Sequence, residues 1–124
     1  MHFKDWEELS KLCPLESGIW NKEKLYEYLV QSCYHLSDHI DAFMEKYQKD
    51  EALAGLLFDF LLDDYYDGSD SQMGAAKYIA RLDRELLKKN RESLLRAQEN
   101  EAAWKRPFHN GEDWRSFIDS DSEY

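Results

Sequence analysis

Seven residues in one short stretch, Asp59, Asp63, Asp64, Tyr65, Tyr66, Asp67 and Asp70, put five carboxylates and two phenols within twelve positions, with no base among them. Carboxylates this close repel one another, so the set must either be solvated or meet something positive. Three kinds of chemistry use such groups. Read as a calcium loop beginning at Asp63, the stretch places Asp67 at the fifth ligand position and Gly68 at the sixth. Tyr65 then stands at the third and Gly74 at the twelfth, where a bidentate glutamate is required. A glycosidase needs two carboxylates held in different environments across a pocket, which a run at a helix end does not supply. The third use is recognition of a basic partner. Carboxylates steer association with Lys and Arg, and tyrosine is enriched at protein interfaces. The plain alternative is a solvated helix face that keeps the protein in solution.

The remaining chemistry-bearing residues lead to fewer possibilities. His35 and His39 share a helical face at i, i+4, with Asp38 beside them, a spacing compatible with zinc. Leu36 stands where a metalloprotease helix carries its glutamate, and no third ligand follows at a recognisable spacing, so no metal is expected. There is no Gly-x-Ser-x-Gly and no glycine-rich stretch before a lysine, so neither catalytic residues nor a cofactor are expected. Cys13 and Cys33 read as two reduced thiols.

Charge is unevenly distributed around these residues. Residues 1–70 hold 16 acids and 6 bases, residues 71–106 hold 5 and 9, and residues 107–124 hold 5 and 1, giving the net of −10. The bases Lys77, Arg81, Arg84, Lys88, Lys89, Arg91 and Arg96 gather on one stretch. They either pair with the acidic helices of the same molecule or form an interface of their own. Net negative charge argues against a phosphate backbone as partner, so no nucleic acid is expected. No apolar run approaches the roughly 18 residues that cross a bilayer, and the N-terminus lacks a signal-peptide pattern, which predicts no membrane association and a cytoplasmic location.

The elements that position these groups read as helices, because apolar residues recur at helical rather than alternating spacing. A short first helix is expected from about Lys4 to Leu12, ended by Pro14, with a loop from Leu15 to Trp20. Asn21 is the expected cap of the next helix, whose apolar stripe runs Leu25, Leu29, Cys33, Leu36, Ile40, Phe43 and Tyr47. Ser37 with Asp38 could cap a second helix inside it, leaving one long helix or two meeting near residue 37. Asp50 begins a third helix with Leu53, Leu56, Leu57, Phe60 and Leu61 buried. It is expected to end near Tyr66, closed by Gly68, so that Asp59, Asp63 and Asp67 form one exposed ridge. Ser71 is the expected cap of a last helical region from Gln72 to about Trp104. Met73, Ala76, Ile79, Leu82, Leu86 and Leu94 should point inward, with a break near Asn90 or a projecting end. Pro107, Asn110 and Gly111 mark a turn, after which Trp114, Phe117 and Ile118 should dock the tail on the bundle. Residues from about 119 to 124 should fray. The expectation is thus an all-α protein, a compact bundle of about four to six helices in a single domain over residues 1–124.

In size, acidity, helical content and clustering of acids with tyrosines, the chain resembles the bacterial immunity proteins of colicin and contact-dependent growth inhibition systems. The resemblance implies a non-catalytic cytoplasmic protein that blocks the basic active site of a cognate toxin, often a nuclease. The expected interface is Asp59, Asp63, Asp64, Tyr65, Tyr66, Asp67 and Asp70. A DNA mimic or anti-defence inhibitor of phage or mobile-element origin is the alternative, although a mimic should spread its charges at phosphate-like intervals. A small helical ligand-binding protein or enzyme is the third.

Overall fold

The computed structural model describes residues 5–99 and residue 103. Among the described residues it is an all-α fold of seven helices with one two-residue-per-strand hairpin. Helix α1 (Trp6–Ser10) is shorter than its pattern suggests and is capped by Asp5, whose carboxylate accepts from the Glu8 N–H at 3.0 Å. The expected loop after it is a hairpin of β1 (Leu15–Glu16) and β2 (Ile19–Trp20). Ser17 and Gly18 both take positive φ, 53° and 79°, the two-residue turn whose twist matches paired strands. Asn21 then caps α2 (Lys22–Gln31) by accepting from the Lys24 N–H at 2.9 Å.

The long apolar stripe is cut in two. α2 ends where the buried Ser32 hydroxyl donates to the Leu29 carbonyl at 2.6 Å, and α3 (Ser37–Glu45) begins without any side-chain cap, so Ser37 does not do the capping. The chain turns between them, which leaves Cys33 exposed while Leu25, Leu29, Leu36 and Ile40 stay buried. Asp50 caps α4 (Glu51–Leu62) as expected, accepting from the Leu53 N–H at 2.9 Å.

Downstream the expected boundaries shift. α4 stops at Leu62, not near Tyr66, because Asp63 adopts an extended backbone and its carboxylate accepts from the Tyr65 N–H at 2.9 Å. That caps a separate 3-10 turn over Asp64–Tyr66, and Gly68, at φ 78°, closes the turn rather than the helix. Ser69, not Ser71, caps α5 (Asp70–Ile79), and Ser71 is buried. The expected last rod is broken twice, into α5, α6 (Arg84–Lys89) and α7 (Arg91–Gln98), with the second break at Asn90. The expectations for Trp104, Pro107, Asn110, Gly111, Trp114, Phe117, Ile118 and the docked tail lie outside the described residues.

The core forms where α5 lies against both α2 and α4. α4 buries Leu53, Leu57, Phe60 and Leu61, the later helices bury Ala76, Ile79, Leu86 and Leu94, and the α5–α6 connection buries Leu82, whereas Met73 and Leu56 are only half-buried. Gly74 sits where α5 touches α2. A Cβ there would lie 2.3 Å from the Leu29 carbonyl oxygen and 2.7 Å from the Ser32 hydroxyl, so only glycine permits this approach. No helix among the described residues is long and apolar enough to cross a membrane.

Candidate protein-interaction site

The acids from Asp59 to Asp70 do not form one helical ridge. Asp59 is on α4, Asp63 begins the turn, Asp64 and the tyrosines make it, and Asp67 follows it. Asp59, Asp63, Asp64 and Asp67 remain exposed, and Tyr65 is 84% exposed, a large ring with little of its surface covered. Asp70 is placed differently. It is half-buried and accepts a hydrogen bond from the Tyr34 hydroxyl in the α2–α3 connection, and that bond to a carboxylate holds the phenol above its usual pKa.

What fixes the turn is Gln72, which is fully buried. Its amide nitrogen donates to the Leu61 carbonyl at 2.9 Å and to the Asp67 carboxylate at 3.2 Å, while its amide oxygen accepts from the Gly68 N–H at 2.8 Å. One side chain thereby ties the end of α4 to Asp67 and to the Gly68 amide. The aromatics supply the floor. Tyr66 is half-buried, with its ring 4.7 Å from Phe60 and 6.3 Å from Tyr26, and Tyr65 stands edge-on to Tyr66 at 5.0 Å. Two of the expected site residues, Asp63 and Asp67, therefore also hold structure.

Residues distant in sequence join this region. Lys22 places its ammonium 5.3 Å from the Phe60 ring centre and 5.8 Å from that of Tyr66. A groove between α4 and α7 puts Lys22 and Arg96 near Asp59 and Asp63. Tyr26 and Gln72 were not singled out from the sequence. Tyr26 had one visible signal, an aromatic just off the Leu25–Leu29 stripe, and Gln72 had none.

Part of the basic stretch is built into the fold. Asp41 on α3 accepts from the Tyr78 hydroxyl at 2.8 Å and pairs with Lys77 at 2.9 Å and Arg81 at 3.2 Å. Burial alone would raise the Asp41 carboxyl, but the hydrogen bonds from Lys77, Tyr78 and Arg81 outweigh it and hold it below its ordinary range. Burial, with the bond to Asp41, pushes the Tyr78 phenol far up. Lys89 pairs with Glu51 at 3.2 Å, and Lys88 with Glu85 at 3.6 Å.

His39 stacks on Trp6, with ring centres 5.4 Å apart and planes 9° from parallel. Among the described residues no three His, Cys, Asp or Glu side chains converge in a way that could hold a metal ion. No family model, no curated protein and no solved structure matches the chain.

Proposed function

We propose that this protein is a non-catalytic cytoplasmic inhibitor, an immunity protein that neutralises a toxin of nuclease type by covering its basic active site with the acid–tyrosine turn. The observation that carries the reading is Tyr65, 84% exposed and flanked along the chain by exposed Asp63, Asp64 and Asp67 on a turn that buried Gln72 holds in place. An exposed flexible loop would lose conformational entropy on binding, whereas a fixed turn presents carboxylates and ring already in position. The carboxylates would stand where substrate phosphates stand in the nuclease groove. The aromatic ring would supply contact area that salt does not screen.

The test looks for a nuclease domain encoded in the frame adjoining this chain, with inhibition of its nucleic-acid cleavage as the readout. Asp59 and Asp64 are the cleanest charges to reverse, because among the described residues neither carboxylate accepts a hydrogen bond that shapes the turn. Asp59→Lys with Asp64→Lys should slow association roughly tenfold or more at low salt and less at moderate salt. Tyr65→Ala should chiefly accelerate dissociation. Reversal of the exposed Lys88 and Arg91 to Glu should leave inhibition unchanged. Loss of inhibition in this last variant but not in the acidic one would move the interface to α6 and α7. An adjoining frame that encodes no toxin would remove the proposal's premise.

A further inference from the structure

The acid–tyrosine turn forms one side of a cleft whose other side is the beginning of α2. Lys22, Glu23, Tyr26 and Glu27 come from α2, Phe60 from α4, and Tyr65 and Tyr66 from the turn, around an open volume of about 560 Å³. Aromatic faces carry partial negative charge, so rings bordered by carboxylates attract cations. The molecule already shows this, since the Lys22 ammonium lies over Phe60 and Tyr66. Those are the two more covered rings. Among the described residues no cation lies over the two more exposed ones, Tyr26 at 37% and Tyr65 at 84%. The ring planes are not parallel. Tyr26 is tilted 41° from Tyr66, and Tyr65 stands at 87° to it, so faces and edges are offered in several directions.

A guanidinium suits such a place better than an ammonium. It is planar, weakly hydrated and able to stack on a ring while its N–H fork reaches a carboxylate, whereas an ammonium is compact and keeps its water. The geometry points to this cleft as the receiver of one arginine side chain of the partner protein. The guanidinium lies over Tyr26 and Tyr65, with Glu23 or Glu27 accepting from its fork. Lys22 sets a limit on what enters, because its charge opposes the incoming cation. For its biological role the assignment rests on the inhibitor reading above, but the recognition itself requires only the cleft.

The experiment titrates isotope-labelled protein with three end-blocked tripeptides, Gly-Arg-Gly, Gly-Lys-Gly and Gly-citrulline-Gly, following the tyrosine ring resonances. The arginine peptide should shift Tyr26 and Tyr65 and bind roughly threefold or more tighter than the lysine peptide, with the uncharged citrulline peptide silent. Glu23→Gln combined with Glu27→Gln should weaken the arginine peptide about threefold or more, and Tyr26→Ala about tenfold, with far-ultraviolet circular dichroism unchanged in both variants. Lys22→Met should strengthen it. Equal response to arginine and lysine overturns the assignment, as do binding of citrulline or a response untouched when Glu23→Gln and Glu27→Gln are combined. Arginine binding in a protein that inhibits no nuclease sinks the inhibitor reading alone. A silent cleft in a protein that does inhibit sinks this one alone.

Discussion

Two charged regions of the molecule stand in contrast. Lys77 on α5 and Arg81 just after it converge on a single carboxylate, Asp41, that Tyr78 also binds, and on α6 Lys89 reaches Glu51 of α4. At the acid–tyrosine turn, the polar contacts are of another kind. Asp63 and Asp67 accept from a backbone N–H and from a side-chain amide, bonds that shape the turn while leaving its net negative charge in place. The first region neutralises its charge within the fold, and the second keeps its charge on display. A charged stretch is open to a partner only where the other helices bring no counter-charge to it. The bases looked as available as the acids until Asp41 and Glu51 were placed against them.

Removing polar groups one at a time tests this contrast. The largest effect should come from Gln72→Leu, which deprives the Gly68 N–H, the Leu61 carbonyl and Asp67 of their shared partner at a fully buried position. About 3 kcal/mol of unfolding free energy should be lost in chemical denaturation, because buried groups left unpaired cost about 1–3 kcal/mol each. A stability equal to wild type would mean that the turn holds its shape without the glutamine. Asp41→Asn should cost less, about 1–2 kcal/mol at neutral pH, since Lys77 and Arg81 remain partly in water when their counter-charge is gone. The same substitution at the turn, Asp64→Asn, should change stability by less than about 0.5 kcal/mol. Similar costs at Asp41 and Asp64 would erase the distinction between the two regions.

Acid adds a sign to the same comparison. The folded Asp41 carboxyl lies below its ordinary value of 3.8, so its contribution to stability is complete above that value and disappears as pH falls through the folded value. The stability gap between wild type and Asp41→Asn should therefore be constant near neutrality and close in strong acid. A gap that widens on acidification would contradict the ion-paired geometry.

Much of the helical frame was legible because local rules governed it. Asn21 and Asp50 cap where short polar side chains precede apolar periodicity, and the inward faces of α2 and α4 follow from spacing. The errors cluster where one residue type serves two purposes. Asp63 reads as the middle of an acidic helix face, yet its carboxylate is a cap for the turn, so α4 ends four residues before the expected boundary. Ser69 and Ser71 are equally good caps by type, and burial decided between them. The candidate site was half legible. Its exposed acids and Tyr65 stand out in the chain, whereas Lys22, Tyr26 and Gln72 join them only through packing. Asp70, counted with them by proximity in sequence, is engaged instead by Tyr34.

The contact at Gly74 also bears on how the chain reaches this state. It brings α5 onto α2, and nearby the Lys77 ammonium donates to the Ser32 carbonyl across 45 positions. During synthesis, α2 leaves the ribosome long before the helix that covers Leu25 and Leu29 exists. The first half of the chain must therefore keep those leucines from other surfaces until α5 arrives. Closing that loop is an entropic cost that must be met before the contact between α2 and α5 stabilises either helix.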